Sequence, residues 1–499
     1  MIKSLNIASL ALLLTNTTSL EAQAPPKDTL NYKVELNGNT STGTYTPLWL
    51  TANRYGLASQ EPNSGYLRAG VCYNKSMKHN WRLETGLDLA GAVNQTAPFV
   101  VQQAYADISW RMLTLSVGSK ERPGFPLEKN AALSSGMMVE GPNARPVPQI
   151  RGEIKEYLPI GFTGNWLALK GHLAYGMFTD GDWQQDFVAT NKTFAKKVLY
   201  HSKSLMFRLG NREKLPLEFE FGILMATQFG GNKYQKNSDG SAKLTLDMPD
   251  NLKAYWKAFF PQAGGEDTPE GEQVNIEGNM LGSWNFALNY YLHDWKFRAY
   301  LEHYFEDHSQ MFWEYGRWKD GQLGIEITFP KNRWVSALLW EGLSTWHSSG
   351  PLLYDGFWGS FPEYQVSGGD AYYNHYIYGA WQHWGMGMGN PLLPGPVYNE
   401  KGEITFRSNR MKGQHVGITG NPSEEWSYRL LLSFNRYWGT YENPLDKVRK
   451  QFSSLAEVTY CPQWATGWSG SVSLGLDRGN YLGNSAGGCV TIRKTGRIF

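Results

Sequence analysis

Tyr372–Gly389 (YYNHYIYGAWQHWGMGMG) sets six aromatic residues and two histidines within eighteen positions. Aromatic faces stack on the C–H faces of sugars, and amide, carboxylate and imidazole groups bind the surrounding hydroxyls, so such a mixture suits carbohydrate. Its glycines let the backbone bend sharply between the rings. The same mixture recurs in Asp180–Phe187 (DGDWQQDF) and Gln310–Trp318 (QMFWEYGRW). Trp381, Trp384, Tyr373 and Trp183 are the candidate stacking rings. His383, Gln382, Asn390, Asp180 and Asp186 are the candidate hydroxyl ligands. The competing reading is a loop that folds back on itself and closes a cavity with its own aromatic core.

Other chemistry is thinly represented. His303, Glu306, Asp307 and His308 (within HYFEDH) resemble a metal cluster in composition. On a strand, though, His303 and Asp307 share one face while Glu306 and His308 take the other, so no metal is assigned. The chain has no HExxH, no glycine-rich phosphate loop and no G-x-S-x-G, so neither a catalytic residue nor a cofactor is assigned and the protein is read as non-enzymatic. A formal net charge of +2 without a basic block excludes nucleic acid as a partner. The cysteines, Cys72, Cys461 and Cys489, are odd in number and widely spaced, which is no disulfide framework. They read as small apolar residues in strands, with a Cys461–Cys489 bridge as the alternative.

The elements that must carry these residues are strands. In Asn80–Ala90, Trp81, Leu83, Leu87 and Leu89 share a face, opposite Arg82, Glu84 and Asp88. Ser283–His293, Trp295–Glu302, Glu425–Asn435 and Trp468–Asp477 repeat the alternation. Apolar and polar residues alternating with period 2 over bilayer-spanning lengths are the signature of a transmembrane β-barrel. An aromatic content of 14%, with 20 Trp and 28 Tyr, fits belts at both membrane interfaces. The first 24 residues read as an export signal, from Lys3, the apolar run Ile7–Leu14 and the small residues of Ala22-Gln23-Ala24. Residues 25–499 then form the barrel, and export followed by strands points to the outer membrane of a Gram-negative bacterium.

Strands fit near 31–38, 66–74, 80–90, 100–109, 111–119, 147–157, 165–179, 198–210 and 215–228. The others fall near 282–293, 294–306, 320–329, 332–345, 410–420, 425–437, 451–461, 467–478 and 485–499. The all-β fold is therefore an antiparallel barrel of about 18 strands, with short periplasmic turns and long extracellular loops. The long loops 228–281 and 345–410 are expected to fold inward. Arg82, Glu84, Asp88, Lys296, Arg298, Glu302, Arg429 and Asp477 face the lumen, where mixed signs imply cross-strand ion pairs rather than a single-sign selectivity lining. Lumen positions such as Ser433 and Ser473 are expected to tolerate an arginine better than the lipid-facing Leu432, Leu474 or Leu288. Asp250–Pro261 suits a short helix within a loop. The terminal Phe499 fits the aromatic end that barrel-assembly machinery reads.

Asn143–Arg151 (NARPVPQIR), Lys170–Phe187, Leu199–Gly210 (LYHSKSLMFRLG), Asn275–Asn285 (NIEGNMLGSWN), Arg298–Thr328 and Gly379–Asn399 carry a resemblance. Through them the chain resembles the Wzi capsule-assembly family of outer-membrane proteins over most of its length. The resemblance implies an 18-stranded barrel that binds capsular polysaccharide at the cell surface as a lectin, without exporting it and without enzymatic activity. Enteric members of that family also carry a small periplasmic helical bundle, and no three-helix segment is visible here. The runner-up function is a substrate-specific channel for glycans or other small solutes, with the same aromatics lining a path.

Overall fold

The computed structural model describes residues 28–124, 126–274, 276–306, 311, 318–348 and 369–499. The export-signal segment, Asp307, His308 and all of Gln310–Trp318 except Met311 and Trp318 lie outside them.

Eighteen strands form one closed antiparallel sheet. In chain order they are Thr29–Thr42, Ser64–Ser76, Trp81–Val93, Phe99–Trp110, Leu113–Ser119, Gln149–Pro159, Leu167–Met177, Leu199–Leu209 and Leu217–Phe229. They continue with Asn279–Leu292, Trp295–Glu306, Gly321–Thr328, Ala337–Ser344, Arg410–Gly420, Trp426–Gly439, Pro444–Tyr460, Trp468–Gly479 and Ser485–Arg497. Each strand pairs with its neighbours in sequence, and the first pairs with the last, from Asn31↔Arg497 to Thr42↔Ala486. The chain terminus extends the seam, because the Leu30 N–H donates to the Phe499 carbonyl at 3.1 Å. Closure leaves no edge strand, so the first and last strands pair with each other rather than with water, as a spanning sheet requires.

The period-2 pattern sets the facing. On Trp426–Gly439, Leu430, Leu432 and Phe434 are exposed on the outer wall, while Ser433 and Asn435 are buried inside. Val472 and Leu474 on the neighbouring Trp468–Gly479 repeat this, with Ser473 and Asp477 inside. Apolar residues outside and polar residues inside invert a soluble core, and the solvent of that outer wall is lipid. Aromatic pairs Trp81–Trp110 and Trp426–Tyr460 gather at the short-turn end, with ring centroids 6.4 and 4.6 Å apart, forming part of an interfacial girdle.

The lumen is filled by three irregular segments entering from the long-loop end: residues 43–63, 120–148 and 369–409. Of loop 345–410, residues 369–409 are the part described in the lumen. Loop 228–281 behaves differently. It holds a strand pair, Asn232–Lys236 with Ala242–Asp247, and the helix Leu252–Phe259, which rests against outward-facing wall residues. Between the strands expected near 425–437 and 451–461 the connection is a tight one of residues 440–443, because both strands run on past those ends.

The other two inward segments were not anticipated. Residues 43–63 place Leu48, Trp49 and Leu50 in the core, on the short helix Leu48–Thr51. Residues 120–148 bury Leu127, Leu133, Met138 and Val139. Prolines 123, 126, 142, 146 and 148 exclude a regular ladder there, so this backbone must find partners elsewhere.

The wall supplies those partners. Glu302 accepts from Met138 N–H at 2.9 Å, Glu341 from Ser135 N–H at 2.7 Å, and Asp477 from Leu48 N–H at 3.0 Å. His415 Nε2 bonds the Leu133 carbonyl at 2.7 Å, and Arg429 donates to Ala132. The lumen charges thus do two jobs where the sequence suggested one. Cross-strand pairs exist: Arg68–Asp88 at 2.7 Å, Arg429–Glu457 at 2.8 Å and Arg298–Glu220 at 3.6 Å. Glu302 and Glu84 instead hold the inserted chain, pairing with Lys129 at 2.6 Å and Lys120 at 2.7 Å. Asp477 serves backbone, Arg82 donates to the Arg111 carbonyl, and Lys296 lies over the Tyr291 ring. Ser433 and Ser473 are not spare lumen positions either. Ser433 Oγ touches Trp49 Nε1 at 3.1 Å and His415 Nδ1 at 2.8 Å, and Ser473 Oγ donates to Glu457 at 2.7 Å. Facing the lumen here means facing packed protein. All three cysteines are free: Cys489 is buried and Cys461 lies exposed in a short turn.

Candidate functional site

The aromatic loop is built by left-handed turns. Tyr373, Gly379, Trp384 and Gly385 adopt positive φ, which folds residues 374–387 into two minimal hairpins. Gly385 is required: a Cβ there would lie 2.5 Å from the Trp183 ring and 2.2 Å from Val397.

The candidate residues divide by depth. Trp381 is 0% exposed and donates from Nε1 to the Val139 carbonyl at 2.8 Å. Tyr373 is equally enclosed, stacked on Tyr304 at 4.7 Å with its hydroxyl donating to the Met138 carbonyl at 2.8 Å. Asp180 sits at the N-terminus of the helix Gly181–Phe187 and accepts from Gln382 Nε2 at 2.7 Å and Trp384 N–H at 3.1 Å. His383 lies between the Arg145 carbonyl, 2.8 Å from Nδ1, and Thr179 N–H, 3.2 Å from Nε2, so the neutral ring carries its proton on Nδ1. Burial holds its pKa below the ordinary histidine value. Asn390 bonds Ser135 Oγ at 3.0 Å. Trp381, Tyr373, His383 and Asn390 lock loop 369–399 onto segment 133–145, Asp180 and Gln382 tie the same loop to the start of the helix Gly181–Phe187, and all six are buried.

Trp384, Trp183 and Asp186 reach the surface at the long-loop end. Arg145 lies 4.2 Å over the Trp384 ring, and Trp183 stacks on Phe187 at 4.9 Å. Burial lowers the Arg145 pKa to about 10. His303, from the HYFEDH run, bonds the Asp320 carbonyl at 2.8 Å and stacks on Trp318, while Glu306 accepts from Tyr304 and from Tyr373 N–H. Both therefore have roles in holding the wall and the plug.

The sequence missed a wide recess. A groove of about 1000 Å³ opens at the long-loop end between the outer surface of loop 369–409 and the tight connections 440–443 and 480–484. Its lining mixes Glu400, Glu403 and Glu442 with Lys401, Arg407 and Arg449, adds Asn443 and Asn480, and has the half-exposed Tyr376 ring at its edge. Arg407 is held against the Tyr481 ring at 4.6 Å and donates to the Tyr481 carbonyl at 2.7 Å. Tyr481 in turn stacks on Tyr437 at 3.8 Å, so the groove floor is anchored to the wall. Buried Tyr481 has its pKa raised to about 12 and stays neutral. The size lies at the top of the usual range for ligand sites, about 300–1,000 Å³. Six charged groups of both signs and side-chain amides suit a hydroxyl-rich, extended ligand better than an apolar one. No local sequence signal marks this set, because it is drawn from four connections spread over residues 44–483.

No family model matches the sequence, and no curated protein is similar to it in sequence. Among solved structures, the chain is similar to Wzi of Escherichia coli, described as a carbohydrate-binding β-barrel outer-membrane protein involved in group 1 capsule assembly. That match has 15% identity, covers 92% of this chain and 83% of the other, and has a TM-score of 0.53. OprD of Pseudomonas aeruginosa matches at 8% identity over 95% of this chain and 96% of the other, with a TM-score of 0.47. OccAB4 of Acinetobacter baumannii matches at 9% identity, with coverages of 95% and 99% and a TM-score of 0.47. At this identity the likeness to Wzi is a likeness of fold.

Proposed function

We propose that the protein is an outer-membrane β-barrel lectin that binds capsular or other surface polysaccharide and supports its attachment at the cell surface. The observation that carries the reading is a lumen packed with three anchored segments beneath an open, polar groove of about 1000 Å³. Among the described residues, Trp381, Tyr373, Trp49 and Met138 are buried between wall and plug, which disfavours a solute path through that part of the lumen. Binding at the surface needs no such path. In this reading the groove takes the hydroxyls and any charges of an extended glycan, with the Tyr376 ring at its edge, while the partly exposed Trp384 and Trp183 and the exposed Asp186 offer further contacts at the long-loop end. The six buried candidates hold the backbone that presents them. The description of Wzi as carbohydrate-binding adds support by analogy of fold.

The test combines two measurements on the purified protein. Surface and capsular polysaccharides are screened on an array, and conductance is recorded in planar bilayers. The expected result is retention of a polysaccharide with a nearly silent bilayer. Large, stable single-channel steps without glycan binding would replace the lectin with a channel. Tyr376→Ala with Arg449→Ala should then lower capsule retention at unchanged surface abundance. A lost stacking ring alone is worth about 1–3 kcal/mol, by analogy with bases on aromatic side chains.

A further inference from the structure

We propose that the helix Leu252–Phe259 is an interfacial anchor, which seats Leu252, Trp256 and Phe260 at the boundary between headgroups and acyl chains of the leaflet at the long-loop end.

The helix is well made for its length: the Asn251 side chain caps it, accepting from the N–H groups of Lys253 and Ala254. Its small-residue face, Ala254 and Ala258, is buried against Phe229, with Tyr175 and Leu199 alongside. Those contacts fix where the helix lies. Tyr175 shares the outward face of Leu167–Met177 with the exposed Leu173, and Phe229 shares that of Leu217–Phe229 with the exposed Phe219. Lys203, outward on Leu199–Leu209 two residues from the exposed Leu205, donates to the Phe259 carbonyl, and the Tyr175 hydroxyl donates to the Tyr255 carbonyl at 3.0 Å. The helix therefore sits on the lipid side of the wall, immediately above the apolar band, and not over the lumen. A lysine at its last carbonyls also complements the helix dipole.

The opposite stripe is exposed, its rings packing on one another and on Phe259 of the same segment, with Trp256 4.7 Å from Phe260. Leu252 is 89% exposed, Trp256 59% and Phe260 45%, at positions i, i+4 and i+8 of one face. Three large apolar side chains in a row, continuous with a lipid-facing band and led by a tryptophan, match an interfacial helix. Lys257 on the inner face is paired with Glu277. Anchoring here would fix loop 228–281 at membrane level. It would also steady the strand Asn232–Lys236, whose Lys233 donates to the Tyr376 carbonyl beside the groove. The inference does not depend on what the groove binds.

A nitroxide at Trp256→Cys tests it in phospholipid vesicles, in a Cys461→Ser background that removes the exposed native thiol. The same label at Lys243→Cys, an exposed position of the same loop, is the aqueous reference. The expected result is a several-fold higher ratio of oxygen to water-soluble nickel accessibility at position 256 than at 243. Equal ratios would place the stripe in water and overturn the proposal. Spin–spin broadening between labelled copies would assign the stripe to a second copy of the chain, and protection that appears only with added polysaccharide would assign it to glycan. Either also overturns it. Should the Trp256 label disturb the helix, Lys253→Cys on its exposed side reads the same depth, and heat-modifiable gel mobility reports an intact barrel.

Discussion

The Lys129–Glu302 clamp offers the sharpest test of the filled lumen. Both side chains are 1% exposed and 2.6 Å apart. The carboxylate also accepts Met138 N–H at 2.9 Å, and the ammonium also reaches Gln322 Oε1 at 2.6 Å and the Gly136 carbonyl at 3.0 Å. Glu302→Leu strands a buried cation and a backbone donor together. Breaking a buried pair from one side costs about 3–5 kcal/mol. The stranded N–H alone would cost about 1–3 kcal/mol, part of the same total because Lys129 keeps two neutral acceptors. We expect a loss of about 3–5 kcal/mol, concentrated on residues 128–138. Lys129→Met with Glu302→Leu removes both charges, and the double variant should be more stable than either single one. The assays are urea unfolding from liposomes and conductance in planar bilayers. Glu302→Leu should show lowered stability and new conducting events, and the double variant should be quieter. If Glu302→Leu is as stable and as silent as the unmodified protein, or the double variant is the worst of the three, the clamp does not hold the inserted segment.

Other outcomes follow from the same geometry. Leu432→Arg, on the lipid face, should cost about 2–4 kcal/mol in liposome unfolding if near the midplane. Ser433→Arg should be no milder, because Ser433 is wedged between Trp49 and His415; a tolerant Ser433 would mean the lumen is looser than described. Trp381→Ala should lower surface abundance on immunoblots through a cavity cost of about 3–5 kcal/mol, whereas Trp384→Ala should leave abundance unchanged. Glu140, on the inserted segment, has a carboxyl group buried beside Ser202 with Arg151 and Arg122 nearby, although other atoms of the residue reach solvent. Burial raises its pKa from 4.5 to about 7. The native state therefore holds this proton more tightly than the unfolded chain. Stability from this group is complete below about pH 4.5 and lost as pH rises through 7, a change on the order of 3 kcal/mol. Glu140→Gln should flatten the corresponding slope in thermal unfolding between pH 5 and 8, and an unchanged slope would assign the pH dependence elsewhere.

The barrel was legible because each of its strands carries its own instruction. In Trp426–Gly439 or Trp468–Gly479 the alternation of Leu and Ser needs no distant residue to declare which side meets lipid. Strand count, direction and the closed seam follow from repeating that rule between short turns. The interior was not legible in the same way. Segment 120–148 has no periodicity, and only its prolines and the run Met137–Val139 hint at burial. What makes it a plug is that Glu302, Glu341 and His415, from three separate strands, converge on its backbone. The aromatic loop shows the same limit. Its composition announced rings and polar groups together, but Trp381 and Trp384, three positions apart, were indistinguishable until a left-handed turn buried one and left the other partly exposed. Likewise Asp250–Pro261 read as a short helix within a loop, and only the packing of Ala254 and Ala258 on the outer wall turned Leu252, Trp256 and Phe260 away from it. Local alternation determined the wall by itself. Which irregular segments enter the lumen, and which rings remain accessible, was decided by tertiary structure, because irregular backbone acquires a position only from the partners that satisfy its hydrogen bonds.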